Sequence, residues 1–375
     1  MTAERRNGQS RSPHAEARVS RRFSITFPLD TARHCGPVIR PGQGREGGSP
    51  NADRRLDRQD RECYCLECMK VLITGGAGFI GSHVADAYLD AGHDVVIVDN
   101  LATGNTENIP NKAKFYLLDV GSRELEKVFE LEKPEIVNHH AAQISVTVST
   151  RDPIQDAQVN ALGLLNLLGT AVRHSIKKLI YVSTGGAIYG DTENMPTPEE
   201  HPPQPISPYG IHKFLGEQYL RFYAEQHGLN YTVLRYANVY GPRQNPLGEA
   251  GVVSIFINTL LKGETPTIFA YPEDPEGMLR DYVYVEDVAK ANLLAADRGA
   301  GQLINIGTGV TTTTGALYQT ISSFFENPPE PKRGEARPGD LHRSCLEISK
   351  ANKILKWKPS IDLKEGLSRT VNFFS

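Results

Sequence analysis

"KVLITGGAGFIGSHVADAYLDAGHDVVIVDN", residues 70–100, decides the fold of this chain. "KVLITGG" opens as a buried strand, "FIGSHVADAYLDAG" reads as the helix after it, and "HDVVIVDN" as a second strand. Gly75, Gly78 and Gly81 form a GxxGxxG pattern directly after the first strand and at the start of the helix. Backbone there must approach a diphosphate closely, and a Cβ fits poorly. Asp99 ends the second strand, 24 residues after Gly75, where its carboxylate can accept both hydroxyls of an adenosine ribose. The same charge repels a 2'-phosphate, and no Arg follows closely to offset it, so these residues select NAD over NADP.

Further strands are expected at 114–118, 135–140, 178–183 and 230–236, with helices at 122–132, 157–173 and 211–227. Several of these strands are continuously apolar, which suits a parallel sheet covered on both faces. The expected fold is therefore α/β, a doubly wound parallel sheet of Rossmann type with a smaller C-terminal substrate-binding lobe. Residues 69–241 are assigned mainly to the NAD-binding domain and 242–375 mainly to the lobe, interleaved with the first. In the latter, "YGPRQNPLGEAG" is loop, 252–262 is helical, and the segment 283–296 can pack back on the main domain.

Composition bounds the rest. A chain of 375 residues, 39% hydrophobic, is long enough for one large α/β domain or two that share a cleft. A formal charge of -3 gives no general reason to expect a nucleic-acid partner. Residues 1–68 differ from the body, with 13 Arg and no Lys against 9 acidic residues, much Pro, Gly and Ser, and only "FSITFPL" to bury. So little apolar surface cannot offset the entropy of ordering the segment, which is expected to be mostly disordered. Met69, opening "MKVLITGG", is read as the start of the folded unit; whether residues 1–68 are translated in the native protein stays open. "CYCLEC", with Cys63, Cys65 and Cys68, is half a metal site without a partner cluster, so no metal is expected. Cys345 is the single cysteine of the body, which suits a reducing compartment. No run approaches the ~18 apolar residues of a membrane span. The expectation is a cytoplasmic protein with no membrane partner.

"SPYGIHKF", residues 207–214, holds Tyr209 and Lys213 four residues apart, on one face of a helix. A phenol with a pKa of about 10 is a poor base at neutrality. A nearby ammonium and the positive nicotinamide ring favour the phenolate, and Lys213 can also hold the nicotinamide ribose. "YVSTGGAIYG" supplies a second hydroxyl at a strand end, Ser183 or Thr184, and either can bond the substrate oxygen. Gly185 and Gly186 are read as letting substrate or nicotinamide lie against the backbone. Asp119 ends "FYLLDV", placed to contact adenine or to cap the helix of "SRELEK".

The segments "TGGAGFIG", "HHAAQISV", "YVSTGGAIYG", "YGIHK", "RYANVYGPR", "RDYVYVEDVA" and "ARPGD" run in order through residues 69–370. In them the chain resembles the extended short-chain dehydrogenases/reductases, and among these the UDP-glucose 4-epimerase group. The resemblance implies Tyr209 as base and Lys213 as its partner. Many such epimerases carry their reactive Ser where this chain has Gly185, so Thr184 is expected to replace it, with Ser183 as the alternative. Cofactor contacts are expected from Gly75, Gly78, Phe79, Ile80, Gly81, Asp99, Asn100, Asp119, Val120, Ala141 and Lys213. On the substrate side the resemblance implies Asn238 near the diphosphate, Arg280 and Arg337 holding it, and Asp340 on the uridine ribose. Guanidinium groups suit phosphate oxygens because they give forked, charge-assisted bonds. Ser344 stands where some epimerases have a bulky Tyr that closes the pocket against an N-acetyl group.

The implied function is NAD-dependent 4-epimerisation of a UDP-hexose, UDP-glucose or UDP-galactose, by transient oxidation at C4. Related dehydratases and decarboxylases carry acids in the loop where this chain has Gly185, Gly186 and Ala187. The alternatives are a UDP-N-acetylglucosamine or UDP-glucuronate 4-epimerase, or another extended short-chain sugar-nucleotide oxidoreductase. A different class, a catalytically silent NAD-binding regulatory protein, would carry a damaged YxxxK, and here that motif is intact. Many enzymes of this group are homodimers that pack two long helices per subunit into a bundle, a role open to 157–173 and 211–227.

Overall fold

The computed structural model describes residues 68–246, 251–336 and 340–375. The expectation for the N-terminal extension, with Cys35, Cys63 and Cys65, lies outside the described residues. In chain order the strands are β1 (Lys70–Thr74), β2 (Asp94–Asp99), β3 (Lys114–Leu117), β4 (Ile136–His139), β5 (Lys178–Thr184) and β6 (Tyr231–Tyr236). They continue with β7 (Asn238–Tyr240), β8 (Thr267–Ala270), β9 (Leu279–Tyr284), β10 (Gln302–Ile306), β11 (Thr311–Thr313), β12 (Lys332–Glu335) and β13 (Arg343–Ser344).

Seven strands make one sheet in the order β10-β6-β5-β4-β1-β2-β3, and every neighbouring pair is parallel. The alternation of β1 explains its unbroken apolar sequence. Val71 and Ile73 face a core shared with Val84, Tyr88, Val288 and Trp357, while Leu72 faces a second core with Leu125, Phe129, Leu164 and Leu220. A strand buried on both sides has no use for the polar alternation of a half-exposed one. Strand order reverses at β1, which has β2 on one side and β4 on the other, so the crevice at the carboxyl ends of β1 and β4 is the switch point where ligands bind in such sheets.

Three departures from the expected elements bear on the site. First, β10 comes from the C-terminal portion yet pairs with β6 along its whole length. Second, the helix expected at 157–173 begins earlier and is interrupted: Pro153–Ala157, a π-helical turn Gln158–Gly163, then Leu164–Arg173. The wide turn brings Asn160 inward, where its amide Nδ2 donates to the Gln143 carbonyl and its Oδ1 accepts the Gln143 N–H. Third, the helix expected at 211–227 starts at Pro208, because Pro suits the first helical position and Ser207 caps it by accepting the Gly210 N–H.

The C-terminal lobe centres on β9, which pairs antiparallel with β11 and parallel with β7 and β13; β8 and β12 form a separate parallel pair. Its core gathers Tyr240, Phe256, Ile257, Leu317, Tyr318 and Leu367. Buried Asp281 on β9 accepts N–H groups from Thr308, Gly309 and Leu346, tying the loop after β10 to the segment that follows β13. Among the described residues no helix is long and apolar enough to cross a membrane.

Candidate active site

The glycine turn separates into two roles. Gly75 has φ +70, and a Cβ on it would stand 2.6 Å from the Ala141 nitrogen, so the loop after β4 is pressed against the turn. A Cβ on Gly81 would strike the Gly75 carbonyl, which makes that glycine a helix-packing requirement. Gly78 alone faces outward, in extended backbone, with only the Gly75 oxygen near the place of a Cβ. It is the N-cap of the helix Phe79–Asp90 and offers no capping side chain; the first bond within the helix runs from the Ser82 N–H to the Gly78 carbonyl. The preceding N–H groups, with the positive end of the helix dipole, remain for an anion.

Asp99 is buried at 8% exposure and fixed by two backbone donors: Oδ2 accepts from Ala77 at 3.0 Å and Oδ1 from Leu101 at 2.8 Å. Each carboxylate oxygen retains capacity for a hydroxyl. Asp119 is exposed, accepts the Gly121 N–H through Oδ1 and holds the Asn100 amide through Oδ2, both at 2.7 Å. It is not a helix cap, since that helix starts at Leu125 with Glu124 before it. Val120 is buried, and the Ala141 N–H donates to Thr74 Oγ1, which also meets His139 Nδ1. An uncapped helix N-terminus, an outward-facing glycine and a preset carboxylate fit the diphosphate and adenosine ribose of NAD. Among the described residues no group of three or more His, Cys, Asp or Glu could hold a metal ion.

At the other end of the crevice, Lys213 is buried, its Nζ donates to the Val182 carbonyl at 2.9 Å, and it lies 5.2 Å above the Tyr181 ring. Burial lowers its pKa to about 8, against the opposing pull of Asp156 and Glu217. Tyr209, one turn earlier on the same helix, is half-buried. Burial, with the Asp156 carboxylate behind it, holds its phenol above the ordinary value, so in the protein alone Lys213 does not bring about the lowering expected from the sequence.

The two candidate hydroxyls diverge. Ser183 is buried and donates to Glu217 Oε1 at 2.7 Å, while Glu217 is itself forked by Arg235 at 2.8 and 2.5 Å. Thr184 closes β5 half-buried and makes no capping bond to the short helix Gly185–Tyr189. Gly185 and Gly186 do not leave their space to a ligand. A Cβ on Gly185 would strike the Leu346 side chain, and one on Gly186 would come within 3.1 Å of Ser344 Oγ. These glycines let the lobe close onto the end of β5.

Of the substrate-side residues, Asn238 is exposed on β7 opposite Tyr282. Arg280 donates through Nη2 to the Leu341 carbonyl at 2.6 Å and through Nη1 to the carbonyls of Leu279 and His342, so its guanidinium clamps the loop that begins at Asp340. The Asp340 carbonyl accepts the Tyr271 hydroxyl, and the Tyr271 ring stacks on His342. Ser344 is buried on β13. Arg337 lies outside the described residues. Residues not singled out from the sequence complete the neighbourhood: Asp156, Gln143, Asn160, His212, Glu217, Arg235 and Leu346. A signal existed for Glu217, which follows Lys213 by one helical turn on the buried face.

Residues 71–307 match the sequence pattern of the NAD dependent epimerase/dehydratase family. A putative UDP-glucose 4-epimerase of Methanocaldococcus jannaschii is 44% identical over 81% of this chain and 97% of its own length. The structure of a UDP-glucose 4-epimerase with UDP-glucose from Thermotoga maritima superposes with TM-score 0.79 at 49% identity, covering 82% of this chain and 98% of that one. The Thermus thermophilus UDP-glucose 4-epimerase complex with NAD gives 0.77 at 45%, covering 82% and 99%. With its glycine turn, parallel sheet and Tyr209–Lys213 helix, the chain belongs to the NAD dependent epimerase/dehydratase family, as an extended short-chain dehydrogenase/reductase similar to UDP-glucose 4-epimerases.

Proposed function

We propose that this protein is an NAD-dependent 4-epimerase of UDP-hexoses, interconverting UDP-glucose and UDP-galactose. The observation that carries the proposal is Tyr209 and Lys213 one turn apart on a helix whose lysine is tied to the end of β5, at the crevice that also holds the glycine turn and Asp99. NAD, when bound, supplies the acceptor and donor of hydride at C4. Tyr209 takes the 4-hydroxyl proton as C4 is oxidised and returns it when hydride comes back to the opposite face. Thr184 bonds the 4-oxygen; its neighbour Ser183 is engaged by Glu217. Gly78, Phe79, Ile80, Asp99, Asn100, Asp119, Val120 and Ala141 line the cofactor side. Arg280 and Arg337 bring positive charge to the diphosphate, with Asn238 beside it and Asp340 on the uridine ribose. This anchoring keeps the keto sugar bound while it turns. Residues 69–241 serve mainly the cofactor and 242–375 mainly the sugar nucleotide.

Ser344 favours a second substrate. Its small side chain, where some epimerases have a bulky Tyr, supports turnover of UDP-N-acetylglucosamine. Ile154 and Leu162, at 71% and 59% exposure, with Ile211 and Phe222 on the catalytic helix, support a homodimer built on these helices. The test incubates purified protein with UDP-glucose, UDP-galactose and both N-acetyl counterparts without added reductant and measures the 4-epimers formed. Y209F is expected to retain NAD and lose nearly all turnover; normal turnover by Y209F sinks the proposal.

A further inference from the structure

Asp156 is the unexplained group of this site. It is fully buried on the helix Pro153–Ala157, and Oδ1 accepts from Gln143 Nε2 at 2.6 Å and from Asn160 Nδ2 at 3.0 Å. Its other oxygen, Oδ2, lies 2.5 Å from His212 Nδ1. His212 shares a helix face with Tyr209 and immediately precedes Lys213, and its side chain is 16% exposed. The carboxylate thus joins three elements: the loop after β4, the π-helical turn, and the helix of the proposed base.

Charge at this point matters because a carboxylate near a phenol holds the phenol protonated, whereas the proposed reaction needs the phenolate. On the helix of Tyr209 and Lys213, Glu217 is already neutralised by the forked Arg235. From β5, Tyr181 is buried and its phenol is held well above the ordinary value by burial. At the end of β4, His139 and His140 are held below the ordinary histidine range by burial, with the Lys213 charge acting in the same direction. That leaves Asp156, whose one partner able to carry a positive charge is His212 among the described residues. A fully buried carboxylate without such a partner is costly, and amide donors supply no net charge.

We infer that His212 is a positioning residue for Tyr209: paired with Asp156, it supplies the charge that cancels this carboxylate, so that the phenol can give up its proton. The inference rests on the reading of Tyr209 as base. With His212 replaced by a neutral donor, the pair carries a full negative charge and the phenolate is disfavoured. With the carboxylate also removed, the pair is neutral again. In the native protein Asp156 braces Gln143 and Asn160 while His212 offsets part of its pull on the phenol.

The experiment is an ultraviolet titration of tyrosinate in the NAD-loaded protein and in H212N, D156N and H212N/D156N, the Tyr209 step being assigned by its loss in Y209F. Asn at 212 keeps an N–H donor for Asp156, which preserves the contact while removing the charge. H212N is expected to move the Tyr209 step up by roughly one pH unit. The acid limb of the kcat/KM profile is expected to move up with it, giving roughly tenfold lower activity at neutral pH with recovery in base. The double variant is expected to titrate as the native protein does, and D156N no higher than native, since the carboxylate is gone from both. An unmoved step in H212N, or a double variant as displaced as H212N, overturns the inference; a pH-independent loss of activity assigns His212 a structural role only. Normal turnover by Y209F instead overturns the base assignment, while the titration still reports on His212.

Discussion

Ser183 and Glu217 are joined by a 2.7 Å hydrogen bond inside the protein, and the acceptor is the carboxylate that Arg235, beside Ser183 on the next strand, also grips. A hydroxyl committed in this way is part of the scaffold. Ser183→Ala is therefore expected to leave kcat within a few-fold of native while costing about 1–3 kcal/mol of stability, because Glu217 loses a buried donor. Thr184→Ala should do the reverse, lowering kcat by roughly 10²-fold with little change in the denaturation midpoint. Parallel kinetics and urea titrations check both.

Two glycines of the same turn should fail in different ways. Gly81→Ala forces a methyl into the Gly75 carbonyl and is expected to destabilise the fold by about 1–3 kcal/mol. Gly78→Ala has φ -78 and ψ 178, which any residue adopts, and should fold normally but bind NAD weakly. Thermal unfolding and the NAD content of the purified variants separate the two.

Asp99→Ala removes the acceptor proposed for the adenosine ribose, together with two bonds to the Ala77 and Leu101 N–H groups. Retained NAD is expected to fall by roughly tenfold or more, since a hydrogen bond to a charged group contributes about 1.5–3 kcal/mol. Discrimination against NADP should relax with it. Competition binding of the two dinucleotides measures this.

Lys213 should leave a mark on stability as well as on turnover. Its folded pKa is lowered by burial to about 8, below the ~10.4 of an unfolded lysine. Below pH ~8 both states hold the proton and the contribution is flat. Between the two values the unfolded chain binds the proton that the folded one has shed, so stability attributable to this group rises with pH. Lys213→Met should abolish that rise, seen as the pH dependence of the difference in unfolding free energy between native and variant protein.

The parts of this site that could be read from sequence are those written locally. Gly75 to Asp99 is one strand, turn, helix and strand, and the spacing of Tyr209 and Lys213 needs only a helix to give it meaning. What stayed hidden depends on segments distant in sequence. Asp156 meets His212 across 56 residues. No local pattern announces that a glycine at 185 is needed for Leu346 instead of a ligand. Likewise β10 is five residues long, too short to declare by periodicity which sheet it joins. The start of the helix that carries Tyr209 is also written locally, since Ser207 and Pro208 are a cap and a first-turn proline.

The place of Gln302–Ile306 beside β6 has a consequence for engineering. A chimera made by exchanging everything after residue 241 would also replace a strand of the sheet that carries the dinucleotide turn, and a fragment ending there would bare the β6 edge to other chains. Specificity in this molecule is therefore best transplanted as loops, with the strand left in its host.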